Sequence, residues 1–361
     1  MFESVVEQHE AKRLLEAALA EGPAHAYLFH GPAGVGKARL ALAFAGELLG
    51  DPGRAERRVH PDLYVLEPLG DQIRIDAVRE MRRDLHMRPF EADRRVYVVL
   101  SAQLLNDEAA DALLKDLEEP PAYAVIVLVA DDLGPLSETI RSRCQLVPFR
   151  RLSERAVREA IEARDPTLSP ARATALARVS AGRLDRAEAL LDPDGAARRT
   201  ELLGLARSVY NDPAFDPGAA AGRVLERAGE RARQTREVLE SELADLELPD
   251  REREQRLKRA QFGAEREHVL ETLDELAAWY RDLVVVAAGA ERAVIHFDHL
   301  AELSEDASLE RLAAAERAAE LVRDAWREFE EFNVSPSLAL EALFIRLRRE
   351  LSHTRYPERV V

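Results

Sequence analysis

HAYLFHGPAGVGKARLALAFAGELL, residues 25–49, decides the fold. AYLFH (26–30) reads as a short apolar strand, and ALAFAGELL (41–49) as a helix with its apolar residues on one face. Between them lies GPAGVGKA, Gly31 to Ala38, which follows G-x-x-x-x-G-K-[ST] through Lys37 and then departs from it. In such a loop the glycines turn backbone N–H groups toward phosphate oxygens, the lysine reaches the terminal phosphates, and the hydroxyl holds Mg²⁺. Gly31, Gly34, Gly36 and Lys37 are therefore candidate phosphate-binding residues, while Ala38 has no oxygen for the metal. Strand, glycine-rich turn and helix in succession is the context that this chemistry requires.

Working outward, the same alternation continues. An amphipathic helix over 5–21 precedes the strand. DLYVLEP (62–68) predicts a second strand, 76–89 a helix, RRVYVVLS (94–101) a buried strand, and Asn106 the cap of a helix that stops at Pro120-Pro121. AVIVLVA (124–130) predicts a fourth strand. Strands alternating with helices predict a parallel α/β sheet. Beyond about residue 150 the pattern is helical only, so the reading is α/β followed by all-α. The predicted divisions are a P-loop domain over 1–150, a small helical domain over 151–198 and a larger helical domain over 199–361. Residues 225–260 are dense in charges of both signs. They read as a solvated helical hairpin broken near Pro249 or as a partner-binding arm.

Composition narrows the function. The 361 residues carry 67 acids against 51 bases, a formal charge of −16, which argues against a stand-alone nucleic-acid binder. The lone cysteine, Cys144, excludes an internal disulfide and a Cys₄ zinc site. The first residues, MFESVVEQHEAKRLLEA, lack the apolar core of a signal peptide, and no apolar run approaches a membrane span of ~20 residues. A cytoplasmic location and no membrane partner are expected.

Several segments, in order, resemble the bacterial clamp-loader AAA+ subunits of DNA polymerase III. They are HAYLFHGPAGVGKARLA (25–41), VYVV after PF and a basic pair (89–99), DALLKDLEEPP (111–121) and SETIRSRC (137–144). NVSPSLALEALFIRL (333–347) suits the family's last collar helix. The resemblance implies a RecA-like AAA+ core, a helical lid and a collar. It also implies a pentameric ring with gamma or tau and delta subunits that opens the sliding clamp and loads it on primed DNA. In the motor subunits an Asp-Glu pair follows the strand that here reads VYVVLS; the matching positions are Leu100 and Ser101. The family's zinc cysteines would fall near 50–62, where there are none. These departures are similar to the ATPase-silent, delta-prime branch. They imply no required cofactor, no zinc, and at most weak ATP or phosphate binding. A gamma- or tau-like ATPase is the alternative, followed by an unrelated P-loop protein.

In the resembling family the arginine of Ser-Arg-Cys enters the neighbour's ATP site. That assigns Arg143 as an arginine finger acting in trans, since a permanently charged planar fork stabilises charge on a transferring phosphoryl group. Asp131 and Asp132 read as turn acids after a sensor-1 strand or, alternatively, as a relocated Mg²⁺ site. Asp185 holds the place of the sensor-2 arginine, flanked by Arg183 and Arg186. His296 and His299 read as a packed or solvated pair, and Trp279 and Tyr280 as helix-packing residues.

Overall fold

The computed structural model describes residues 2–3, 5–243, 250–331 and 335–352. The chain forms two compact units, one reaching Ala187 and the other starting at Glu188.

The first unit is built on a five-stranded, all-parallel sheet of β1 (Ala26–His30), β2 (Leu63–Leu66), β3 (Arg95–Val99), β4 (Ala124–Ala130) and β5 (Gln145–Pro148), in the order β2-β3-β4-β1-β5. Parallel neighbours require crossovers, which α1 (His9–Glu21), α2 (Lys37–Leu49), α3 (Pro52–Glu56), α4 (Ile75–Leu85), α5 (Asp107–Glu118) and α6 (Glu138–Arg141) surround or supply. Both faces are covered, so the central strands are largely apolar: every residue of β3 and β4 is buried, Arg95 being the one charged residue among them, as are Tyr27, Leu28 and Phe29 of β1. Three further helices, α7 (Glu154–Arg164), α8 (Pro170–Val179) and α9 (Leu184–Leu191), follow β5, and α9 runs across the boundary between the units.

Register places the candidate loop. His30 pairs with Ala130 of β4 and Pro148 of β5, so three strand ends stand level around the turn that starts at Gly31. Gly31 adopts φ +135°, and a side chain there would collide with the Phe149 carbonyl; Phe149 N–H in turn donates to His30 O at 2.8 Å.

Some boundaries differ from the sequence reading. Glu7 and Gln8 both sit at φ +51°, which delays the first helix to His9. The Gln8 amide clasps the backbone of Arg150, donating to its O at 2.7 Å and accepting from its N–H at 3.1 Å. The third strand stops at Val99 because Ser101 turns left-handed at φ +52°. The fifth strand was not predicted at all; its four residues include exposed Gln145 and end on Pro148, so they carry almost no strand signature.

The second unit is helical among its described residues: α10 (Pro193–Asn211), α11 (Pro217–Glu242), α12 (Asp250–Ala287), α13 (Leu300–Asp306), α14 (Leu309–Glu331) and α15 (Pro336–Ser352). Their shared core contains Leu273, Leu276, Trp279, Tyr280, Phe344 and Leu347. Trp279 Nε1–H donates to Tyr210 Oη (3.1 Å), and Tyr210 O–H to buried Asp306 (2.9 Å). Trp279 and Tyr280 are thus core residues. The charged stretch over 225–260 runs along α11 and α12, cross-linked by Arg231 to Glu267 and Glu271 and by Arg236 to Glu254. Pro249 and the start of the 333–347 segment lie outside the described residues. No described helix is long and apolar enough to cross a membrane.

Candidate functional site

The glycine loop closes around its own lysine. Lys37 opens α2, and its side chain is only 4% exposed. The ammonium donates to Gly31 O (2.6 Å) and to Pro32 O, and meets Asp131 Oδ1 at 2.7 Å. An ammonium has three protons, and here all three have acceptors. Burial lowers the Lys37 pKa, while Asp131 and then Asp185 pull it back up and Arg183 opposes them. Asp131 is the first residue past β4; its own N–H donates to Gln103 Oε1 at 3.2 Å. Asp132 turns away to accept from Gly134 N–H (3.0 Å), so the two acids do not share one site.

A second carboxylate arrives from α9. Gly34 sits at φ +71°, and a side chain there would overlap the carboxylate of Asp185. Gly34 O also accepts from Leu184 N–H at 2.8 Å. Arg183 holds Asp185 at 2.9 Å, and Asp185 Oδ1 accepts from Arg186 N–H at 2.8 Å. Burial would raise the Asp185 pKa, but the Arg183 guanidinium and that N–H more than offset it, keeping the carboxyl below the usual range. The place where a phosphate would rest therefore holds a satisfied lysine and, on the Gly34 side, a carboxylate. Gly31, Gly34, Gly36 and Lys37 lie in the one turn between β1 and α2; the engagement of Lys37 by Asp131 was not foreseen.

The third expected element lies at the end of β3. Leu100 is buried and Ser101 adopts φ +52°, and neither residue type carries a carboxylate. Among the described residues no group of three or more His, Cys, Asp or Glu side chains could hold a metal ion. In the 50–62 region a polar clasp stands instead. Asp62, fully buried, accepts from the N–H groups of Phe90 (2.6 Å), Glu91 and Ala92 (both 2.9 Å). Burial alone would raise its pKa; those three donors, with Arg95, hold it below the usual value.

Arg143 lies two residues beyond α6, whose N-terminus Ser137 caps. Its Nε donates to Glu118 Oε1 at 2.8 Å, Nη2 reaches the same oxygen, and Nη1 donates to Thr139 O at 2.9 Å. Glu118 is the last residue of α5, so the DALLKDLEEPP and SETIRSRC segments meet through this pair. The guanidinium remains part-exposed. Beside it, Ser142 bonds to Thr139 O, and burial pushes the Cys144 thiol up to about 12, an unreactive value. Arg141 buries its Nε without a hydrogen-bond partner.

The histidine pair divides. His296 is fully buried, with Nδ1 2.8 Å from Asp282 and Nε2 3.2 Å from Glu275. His299 stands edge-on to Trp279.

Residues 7–153 match the family described as DNA polymerase III, delta subunit. Over this region the chain is similar to DNA polymerase III subunits, several of them named delta'. DNA polymerase III subunit delta' of Bacillus subtilis is 30% identical over 193 residues, covering 50% of this chain and 58% of that one. Subunit tau of the same organism is 31% identical over 169 residues, covering 43% and 30%. The chain thus spans about half the length of the first relative and less of the second. A solved DNA polymerase III gamma subunit-related protein from Thermotoga maritima superposes with a TM-score of 0.47 at 18% identity, covering 94% of this chain and 99% of that one.

Proposed function

We propose that this chain is the non-hydrolysing, delta-prime-type subunit of a DNA polymerase III clamp loader. In this reading it joins gamma or tau and delta subunits in a pentameric ring, helps load the sliding clamp on primed DNA, and offers Arg143 to a neighbour's ATP. The observation that carries it is the saturation of Lys37 by two loop carbonyls and Asp131. Binding Mg·ATP would have to break those bonds, displace the Asp185 carboxylate, and do without a hydroxyl at 38 or acids at 100–101. The residues present do not fit that cofactor, and no hydrolytic step is assigned to this pocket.

Arg143 suits the reverse role. It is part-exposed, permanently charged, and held by one carboxylate that an incoming phosphoryl oxygen can replace. The test is steady-state ATP hydrolysis by the purified chain, with and without Ala38→Thr, and by the reconstituted loader carrying Arg143→Ala. No turnover by the chain alone and a drop of tenfold or more in the Arg143→Ala loader are expected. Turnover by the unmodified chain would favour the second reading, a gamma- or tau-like ATPase, which the similarity to tau supports.

A further inference from the structure

A cleft of about 220 Å³ opens in the second unit between α10, α11 and α12. Its floor is apolar, made by Leu202, Leu205 and Val224, and His268 lines it too. Its rim is basic: Arg198, Arg223 and Arg227, with Glu201 as the one acid. Arg227 is engaged by Glu201 (3.1 Å) and Glu230 (3.0 Å). Among the described residues, neither Arg198 nor Arg223 has a carboxylate within ion-pairing distance.

One feature points to an occupant. His268 is 6% exposed, yet its Nδ1 is buried with no hydrogen-bond partner. A buried ring nitrogen left unsatisfied costs stability, and such groups are uncommon without a reason. Gly204 lies in mid-helix on the wall, where glycine weakens α10 relative to alanine. A Cβ there would meet nothing within 4 Å among the described residues, so a larger side chain at 204 has room to enter the cleft.

We propose that this cleft binds an amphipathic carboxylate. A compact apolar group rests on Leu202, Leu205 and Val224, and the carboxylate lies on Arg198 and Arg223 within reach of His268 Nδ1. The guanidinium fork matches a carboxylate in geometry and charge. Glu201 on the rim disfavours multiply charged anions. The inference does not depend on the reading of the glycine loop.

The experiment follows the His268 ring by NMR in the full chain during titration with 3-phenylpropionate, its neutral amide, inorganic phosphate, and the blocked dipeptide acetyl-Phe-Asp-amide. The acid is expected to shift the ring resonances saturably and at least tenfold more tightly than the amide or phosphate. Arg198→Gln with Arg223→Gln should weaken it about tenfold, which is 1.4 kcal/mol. Gly204→Leu should block it. A dipeptide binding more tightly than the free acid would identify a protein segment as the source of the carboxylate; the reverse would identify a small molecule. Either order supports the site. An unmoved His268 ring, or equal binding of acid and amide in the wild-type chain, overturns it. The two arginines are exposed, so the double variant keeps the test decisive if Gly204→Leu fails to fold.

Discussion

The carboxylate of Asp185 occupies the space that a side chain on Gly34 would need. A helix after the sheet and the glycine loop are thereby fitted to each other, and the loop's backbone conformation depends on that fit. Gly34→Ala must place a methyl group at φ +71° and push Asp185 aside. The left-handed backbone alone costs about 1–2 kcal/mol, and a first-unit melting temperature lower by roughly 4–8 °C is expected for about 2 kcal/mol in all. Asp185→Gly in the same chain should restore part of the loss. Strict additivity in a double-mutant thermal cycle would refute the fit.

Asp131→Asn removes the anion beside Lys37 and leaves a buried ammonium held by two carbonyls. Asp131 is half-exposed, so the expected loss is modest, about 1–2 kcal/mol. The freed charge should raise affinity for inorganic phosphate about tenfold, measured by calorimetric titration. If the variant and the wild type bind phosphate equally, Lys37 is not masked by Asp131.

Glu118→Gln releases the Arg143 guanidinium from its ion pair. Both groups are part-exposed, so stability should change by less than about 1 kcal/mol. If Arg143 acts as proposed, the variant removes a competing carboxylate and spares the arginine, so a reconstituted loader should keep its full ATPase rate or exceed it. A loss of rate as large as that of Arg143→Ala would mean that the pair positions the arginine rather than merely parking it.

His296 makes the second unit sensitive to pH. Burial by itself would lower its pKa, but hydrogen bonds and charge from Asp282 and Glu275 raise it above the ordinary value. Arg199 and Asp298 complete the surroundings. The folded unit holds the proton more tightly than the unfolded chain. That stabilisation is complete below about pH 6.5 and fades as pH rises through the folded value, by at most about 1.4 kcal/mol per pH unit. Denaturant midpoints for the wild type should therefore fall toward those of His296→Gln with rising pH. A constant gap between the two would exclude the effect.

The first unit was largely legible because its strands are buried on both faces and write themselves as apolar runs such as AVIVLVA. The glycine loop followed from spacing alone. What escaped is long-range. Nothing local in DD at 131–132 says that one acid turns onto Lys37 and the other caps its own turn. The pairing of Glu118 with Arg143 joins residues 25 apart and depends on how α5 and α6 pack. QLVP escaped because an edge strand gains its identity from its neighbour, here β1. In the helical unit the packing role of Trp279 and Tyr280 was readable from periodicity, but the charge network around His296 was not.

The two outermost strands, Leu63–Leu66 and Gln145–Pro148, are only four residues long, and the second finishes on a residue without an amide hydrogen. Margins so brief give another molecule little backbone to continue. Concentrated preparations should accordingly resist sheet-to-sheet aggregation.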